Sequence, residues 1–155
     1  MKSRRKSGIL GYDMDNTGNR HLAVVAILQN SDNKVLLVQR NEPTSPHIHG
    51  KWHFPGGGIE FGEDPADAVL REVTEEVGDL EVQLLSRRPI IFSHHYEKDD
   101  IHAIVLGFPV MYLNGEIDLT REETVGNAQW FSIAEVEELD TLPEITTFVS
   151  AISGI

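Results

Sequence analysis

Gly57-Gly58-Ile59-Glu60-Phe61-Gly62-Glu63-Asp64-Pro65-Ala66-Asp67-Ala68-Val69-Leu70-Arg71-Glu72-Val73-Thr74-Glu75-Glu76-Val77-Gly78-Asp79 is the stretch whose reading decides the fold. It predicts a glycine turn followed by a helix over Pro65 to Val77. Asp64 suits the N-cap, Pro65 the first helical position and Gly78 the stop. Ala66, Val69, Leu70, Val73 and Val77 recur at helical spacing and form an apolar stripe. The charges on this helix are less ordinary. Glu72, Glu75 and Glu76 stand at i, i+3 and i+4, so three carboxylates share one face. Glu72 and Glu76 repel across a turn, and Glu75 and Glu76 oppose the helix dipole, each mismatch costing about 0.3–1 kcal/mol. A divalent cation reverses the sign of these penalties, and clustered carboxylate oxygens suit hard Mg²⁺ or Mn²⁺. On the helix alone, a solvated acidic face explains the pattern equally well. Its neighbours favour the cation. Gly56-Gly57-Gly58 lets the backbone approach a ligand closely, Glu63 lies between turn and helix, and Arg71 can brace Glu75 or neutralise phosphate charge.

Working outward, Leu22 to Leu28 and Lys34 to Gln39 predict two strands joined at Ser31-Asp32-Asn33 as a hairpin. Asn41 to Gly50 reads as a loop, and Pro55-Gly56-Gly57-Gly58 as a sharp break of the backbone. Beyond the helix, Leu80 to Leu85, Ile90 to Phe92 and Ile101 to Tyr112 read as strands, and Trp130-Phe131 closes a short one. Ser132 caps a helix from Ile133 to Leu139, and Pro143 opens a last helix. Strands before, between and after the helices imply an α/β sandwich. Residues 1–20 are polar with three glycines and read as a loose arm, leaving residues 21–155 as one domain.

The chain of 155 residues carries 25 acidic and 13 basic side chains, a net charge of −12. Four of the basic residues (Lys2, Arg4, Arg5, Lys6) crowd the first six positions, so the body from Ser7 onward is more acidic still. Such a body does not hold a nucleic-acid polymer by general charge. With no cysteine, disulfides, thiolate metal sites and cysteine nucleophiles are excluded. No apolar h-region follows the basic start, and the longest apolar run, Leu22 to Leu28, is too short to span a membrane. A cytoplasmic protein without a membrane partner, monomeric or homodimeric, is the expectation. His47 and His49 could form a zinc pair, with His53, His94, His95 and His102 loosely nearby in sequence. Their Pro-containing loop and the lack of a matching carboxylate spacing favour substrate-contacting or exposed side chains.

Gly57, five residues, Glu63, seven residues, then Arg71-Glu72-Val73-Thr74-Glu75-Glu76-Val77-Gly78 resembles the Nudix box, spanning Gly57 to Asp79. Leu36-Leu37-Val38-Gln39-Arg40, Trp52-His53-Phe54-Pro55 and Gln129-Trp130-Phe131-Ser132 agree with it. One position departs, since the box normally ends on an apolar residue and Asp79 stands there. The resemblance implies a Nudix-type α/β/α sandwich with a mixed sheet, an α+β arrangement. It also implies Mg²⁺-dependent (Mn²⁺ possible) hydrolysis of a diphosphate bond in a nucleoside diphosphate-linked small molecule. By position, Gly57 (or the carbonyl of Gly56), Glu63, Glu72, Glu75 and Glu76 hold metal, and a distal acid, Glu123 before Glu122, joins them. Glu72 or Glu76 orients or deprotonates the water, with Arg71 beside them among the catalytic residues. Substrate contacts are expected from Arg40, Trp52, Phe54 and Glu144, with the base between the first strand, Trp52-Phe54 and Leu142 to Thr146.

The leading substrate reading is MutT-like, a nucleoside triphosphate cleaved to monophosphate and pyrophosphate. ADP-ribose or a dinucleoside polyphosphate is the alternative, which Tyr96 supports only loosely. A non-catalytic nucleotide-binding regulator is the third, although such domains usually lose box carboxylates and this chain keeps them all. Related isopentenyl-diphosphate isomerases need a catalytic cysteine, which is missing.

Overall fold

Alternate residues of the first strand are buried on opposite faces, and that pattern fixes where the layers lie. The computed structural model describes residues 19–153. β1 (Asn19–Gln29) and β2 (Val35–Arg40) form the hairpin, turned at Asn33 with φ 61° while Asn30 Oδ1 accepts from the amides of Asp32 and Lys34. β3 (Trp52–His53) and β4 (Gly56–Gly58) precede helix α1 (Pro65–Val77). After it come β5 (Glu81–Leu84), β6 (Ile90–Tyr96), β7 (Ile101–Asn114), β8 (Val125–Phe131), α2 (Ile133–Val136) and α3 (Glu144–Ile152).

All the strands join one sheet ordered β3-β2-β1-β7-β5, with β4 paired to β1, β6 to β7 and β8 to β2. β1 and β7 run parallel and the other pairs antiparallel, so the sheet is mixed. Val24, Ala26 and Leu28 pack with Val69, Val73 and Val77 of α1, while Val25 and Ile27 pack with Phe148 and Val149 of α3 on the other face. Burial on both faces explains why β1 reads as an unbroken apolar run. The expected α/β/α sandwich is present.

Several boundaries differ from expectation. Of the predicted arm, residues 1–18 lie outside the described residues, and Asn19 and Arg20 already belong to β1. The glycine run is a strand, not only a break, because Gly56 has no Cβ: one built there would stand 2.0 Å from the Val24 carbonyl oxygen of the neighbouring strand. β6 runs further than predicted because its end pairs with β7, Tyr96 opposite Ile101, and β7 runs on to Asn114, which pairs with Glu81 of β5. α2 stops at Val136 rather than Leu139, ending in a turn where the Leu139 amide donates to the Val136 carbonyl.

Candidate active site

Helix α1 is held at its start by Asp64, whose carboxylate accepts from the Ala66 amide at 2.9 Å, and closes at Gly78, φ 99°. Its apolar stripe faces the sheet, and the carboxylates beside the stripe are therefore carried into the protein by degrees. Glu75 is half exposed, Glu72 mostly covered, and Glu76 only 3% exposed. Arg71 ties the cluster together. Its Nε and Nη2 donate to both oxygens of Glu63 at 2.8 Å, Nη1 reaches Glu72 at 2.9 Å and Glu75 at 3.1 Å, and Nη2 also reaches the Gly58 carbonyl at 2.9 Å. This fork of donors holds the Glu63 carboxyl down at about 2. Burial pushes the Glu72 carboxyl up, against the pull of Arg71. Gly57 lies against Glu72 so closely that a Cβ on it would meet that carboxyl at 2.5 Å.

A second arginine serves Glu76. Arg40 Nη2 donates to Glu76 Oε1 at 3.3 Å, Nε to His53 Nε2 at 3.0 Å, and Nη1 to Thr124 Oγ1 at 2.9 Å and to Glu42 at 3.1 Å. His53 is buried, and burial together with the Arg40 cation lowers its pKa to about 3. The ring is therefore neutral, with Nδ1 donating to the Phe54 carbonyl and Nε2 accepting from Arg40. Burial raises Glu76 to about 8, with Arg40 opposing the shift. Glu76 Oε2 is buried and has no hydrogen-bond partner. Next to this cluster a cavity of about 170 Å³ has Arg40, Gly56 and Gly57 at one end and apolar walls from Ala23, Val25, Phe92 and Leu142. Glu144 lines it too, 4% exposed and raised by burial to about 7.

Residues 19–150 match the family model of the NUDIX domain. The chain belongs to the Nudix family. Among curated relatives it is 42% identical over 64 residues to an RNA pyrophosphohydrolase of Acidiphilium cryptum, covering 41% of this chain and 39% of that one. It is 44% identical over 54 residues to the 8-oxo-dGTP diphosphatase of Escherichia coli, covering 35% and 40%. The chain thus spans about two fifths of the length of these relatives. Among solved structures, a NUDIX hydrolase from Nitrosomonas europaea superposes with TM-score 0.71 at 22% identity, covering 88% of this chain and 90% of that one. The NUDIX domain of Shewanella oneidensis NrtR with ADP ribose gives 0.69 at 20% identity, covering 92% of each.

Within this Nudix domain, Gly57, Glu63, Arg71, Glu72, Glu75 and Glu76 come together, and the substrate-contact set divides. Glu144 lines the cavity. Trp52 and Phe54 do not: Trp52 packs edge-on against Phe131 at 5.0 Å, and Phe54 is fully buried against Phe148. Side chains alternate along a strand, and here His53, between them, faces the cavity. Arg40 lines the cavity, yet its donors are engaged by protein groups. The two acids weighed for the distal position differ in setting. Glu123 is exposed, whereas Glu122 is half-buried, accepts from the Thr124 amide and hydroxyl, and its charge bears on Glu72. The departure at the end of the box resolves simply. Asp79 is exposed and pairs through both oxygens with Arg121, while Leu80 supplies the apolar contact with the core. His47, expected to contact substrate or stand exposed, lines the cavity, and so do Phe92 and Tyr96, which the period-two pattern of β6 places on one face.

Proposed function

We propose that this protein hydrolyses a diphosphate bond in a nucleoside diphosphate-linked substrate, with a nucleoside triphosphate, cleaved to monophosphate and pyrophosphate, as the leading substrate. The observation that carries this reading is the unpartnered, buried Oε2 of Glu76, whose partner Arg40 lines the neighbouring cavity together with Gly56 and Gly57. An orphan carboxylate oxygen of that kind is costly unless something cationic meets it. The donor set fits a hard divalent cation such as Mg²⁺: Glu72, Glu75, Glu76, Glu63, the main chain at Gly57, and Glu122 as the distal acid. Among the described residues no three His, Asp or Glu side chains are already disposed to hold a metal. Arg71 occupies three of these carboxylates, so a cation must compete with it. When bound, such a cation screens the phosphate charge and lowers the pKa of the attacking water.

The chain's own groups supply the rest. Glu72 or Glu76 accepts a hydrogen bond from the water and takes its proton as the water oxygen bonds to phosphorus. The bridging P–O bond breaks, and its electrons leave with the departing phosphate. Arg71 orients Glu63, Glu72 and Glu75 relative to the glycine strand. Arg40 orients Glu76. Ala23, Val25, Phe92 and Leu142 take the faces of the base, and Glu144 meets its polar edge. The decisive assay is a screen of nucleoside triphosphates, ADP-ribose and dinucleoside polyphosphates with Mg²⁺, repeated with chelator. Pyrophosphate release from triphosphates that stops with chelator is expected. Binding without turnover makes the protein a regulator, and preferred cleavage of ADP-ribose or a dinucleoside polyphosphate moves it to another substrate.

A further inference from the structure

Among the described residues β6 is an edge of the sheet, and it lacks the protections that edges usually have. It pairs there with β7 alone, from Ile90 opposite Gly107 to Tyr96 opposite Ile101, with no shift of register. Alternate amides and carbonyls on its other side are therefore left for water or for another strand. Edge strands are ordinarily kept single by shortness, a charged side chain, a proline or a bulge. β5 and β8, which also have one partner each, carry a register shift against it, and β5 is only four residues long. β6 has seven residues and contains no Asp, Glu, Lys, Arg or Pro. Apolar surface adjoins it on the face that carries α1. Ile91 is 66% exposed and stands opposite Leu106 of β7, and Leu22 of β1, 52% exposed, stands opposite the half-buried Ile104.

The flanks of the strand say what pairs with it. Arg87 and Arg88 precede it, and Glu97, Lys98, Asp99 and Asp100 follow, so one end carries a charge of +2 and the other −2. Some of these charges are engaged within the chain: Arg87 meets Asp64 at 3.0 Å and Asp67 at 3.4 Å, His47 meets Asp99 at 3.8 Å, and His95 meets Asp100 at 3.3 Å. Arg88 and Glu97 are exposed and form no ion pair among the described residues. A strand basic at its start and acidic at its end complements its own copy when the two run antiparallel. We propose that β6 pairs antiparallel with β6 of a second copy of this chain, making one sheet across a two-fold axis at Ser93. The axis follows from the side-chain alternation. Continuing the sheet keeps both copies of α1 on one side, so residues facing α1 must oppose residues facing α1. That puts a residue at the centre, and only Ser93 lets all seven pair. Ile91 then lies opposite the partner's His95, and Arg88 falls one position from the partner's Glu97. Phe92 and Tyr96, on the other face of the strand, line the cavity, so the joint backs the cavity wall. It does not depend on the reaction proposed above.

Sedimentation velocity of the full chain over a range of concentrations reads the pairing, with circular dichroism to show that each variant is folded. A concentration-dependent dimer is expected. Ile91→Lys puts a charge on the edge and leaves the cavity face alone, and it should raise the Kd of the dimer roughly tenfold or more. Arg88→Glu and Glu97→Arg should each weaken the dimer, since every contact occurs twice, and the two together should restore it. The chain has no cysteine, so Ser93→Cys supplies one thiol per copy. Mild oxidation should link the two across the axis, because opposed Cα atoms of an antiparallel pair stand about 4.5–5.5 Å apart, within disulfide reach. Gln83→Cys on β5 should stay unlinked. A monomer at every concentration overturns the pairing, whether residues 1–18 or a strand of another protein then takes the edge. So does a dimer that withstands Ile91→Lys and both charge reversals, or one that Gln83→Cys links and Ser93→Cys does not.

Discussion

Glu76 and Arg40 form a buried pair in which the carboxylate has one oxygen bonded and one left over. Replacing Arg40 by alanine leaves Glu76 without its cation and His53 without its donor. The carboxyl can escape by taking a proton, so the expected loss is about 1–3 kcal/mol, less than for a pair forced to stay charged. Urea denaturation of Arg40→Ala, Glu76→Gln and the double variant should give a non-additive cycle, the double variant recovering part of the loss. Additive effects would show that the two side chains do not act on each other. Arg71 differs in serving three acids at once, Glu63 and Glu72 mostly covered and Glu75 half exposed. Arg71→Ala should cost about 1–3 kcal/mol, since the covered carboxylates lose their donor. Turnover should fall much further, because Glu63, Glu72 and Glu75 lose their common donor; activity at the wild-type level would remove Arg71 from the site.

At the scale of elements, α1 and β4 make the site, and their fit depends on a missing atom. Gly57→Ala pushes a Cβ to 2.5 Å from the Glu72 carboxyl, which can swing aside because it is the far end of a flexible side chain. The variant should therefore fold, with kcat reduced by roughly tenfold or more through a displaced Glu72, and wild-type kinetics would show that Glu72 is free to sit elsewhere. Much of this was legible beforehand, since Glu63, Arg71, Glu72, Glu75 and Glu76 lie within fourteen consecutive residues and helical geometry alone brings the last three to one face. What could not be read depends on contacts between distant strands. Which of Trp52, His53 and Phe54 faces the cavity follows from how β3 lies on β2. The choice between the adjacent Glu122 and Glu123 depends on Thr124, which Arg40 holds from the neighbouring strand β2. The glycine run pairs as a strand only because β1 accepts it.

For the whole molecule, the acid excess divides into a buried part and a solvated part. Among the described residues no helix is long and apolar enough to cross a membrane. Glu144 carries the pH dependence that is easiest to isolate. Burial holds its folded pKa at about 7, above the ordinary 4.5, so the folded state binds its proton more tightly than the unfolded chain. Below pH 4.5 the group is neutral in both states and costs nothing by ionisation. As pH rises from 4.5 to 7 it ionises first in the unfolded chain, so stability declines, and the decline is complete above 7. Glu144→Gln should flatten this part of the profile, gaining stability over the wild type at pH 8 relative to pH 4; identical profiles would show that the carboxyl is solvated. A cation that binds only the folded protein raises its stability by mass action, about 1.4 kcal/mol at ten times its Kd. Mg²⁺ or Mn²⁺ should accordingly raise Tm in the wild type and not in Glu72→Gln, and an equal shift in both would place the ion elsewhere.

The most direct test of the central claim, that buried Glu76 and its neighbours form a cation-dependent diphosphate hydrolase, is the turnover of Glu76→Gln beside the wild type. Both are assayed with the best nucleoside substrate and saturating Mg²⁺, after circular dichroism shows that both are folded. The substitution keeps the side chain's size and removes its ability to hold a cation or take a proton. A fall in kcat of about 10²–10⁴ is predicted, and undiminished turnover in the folded variant would contradict the account.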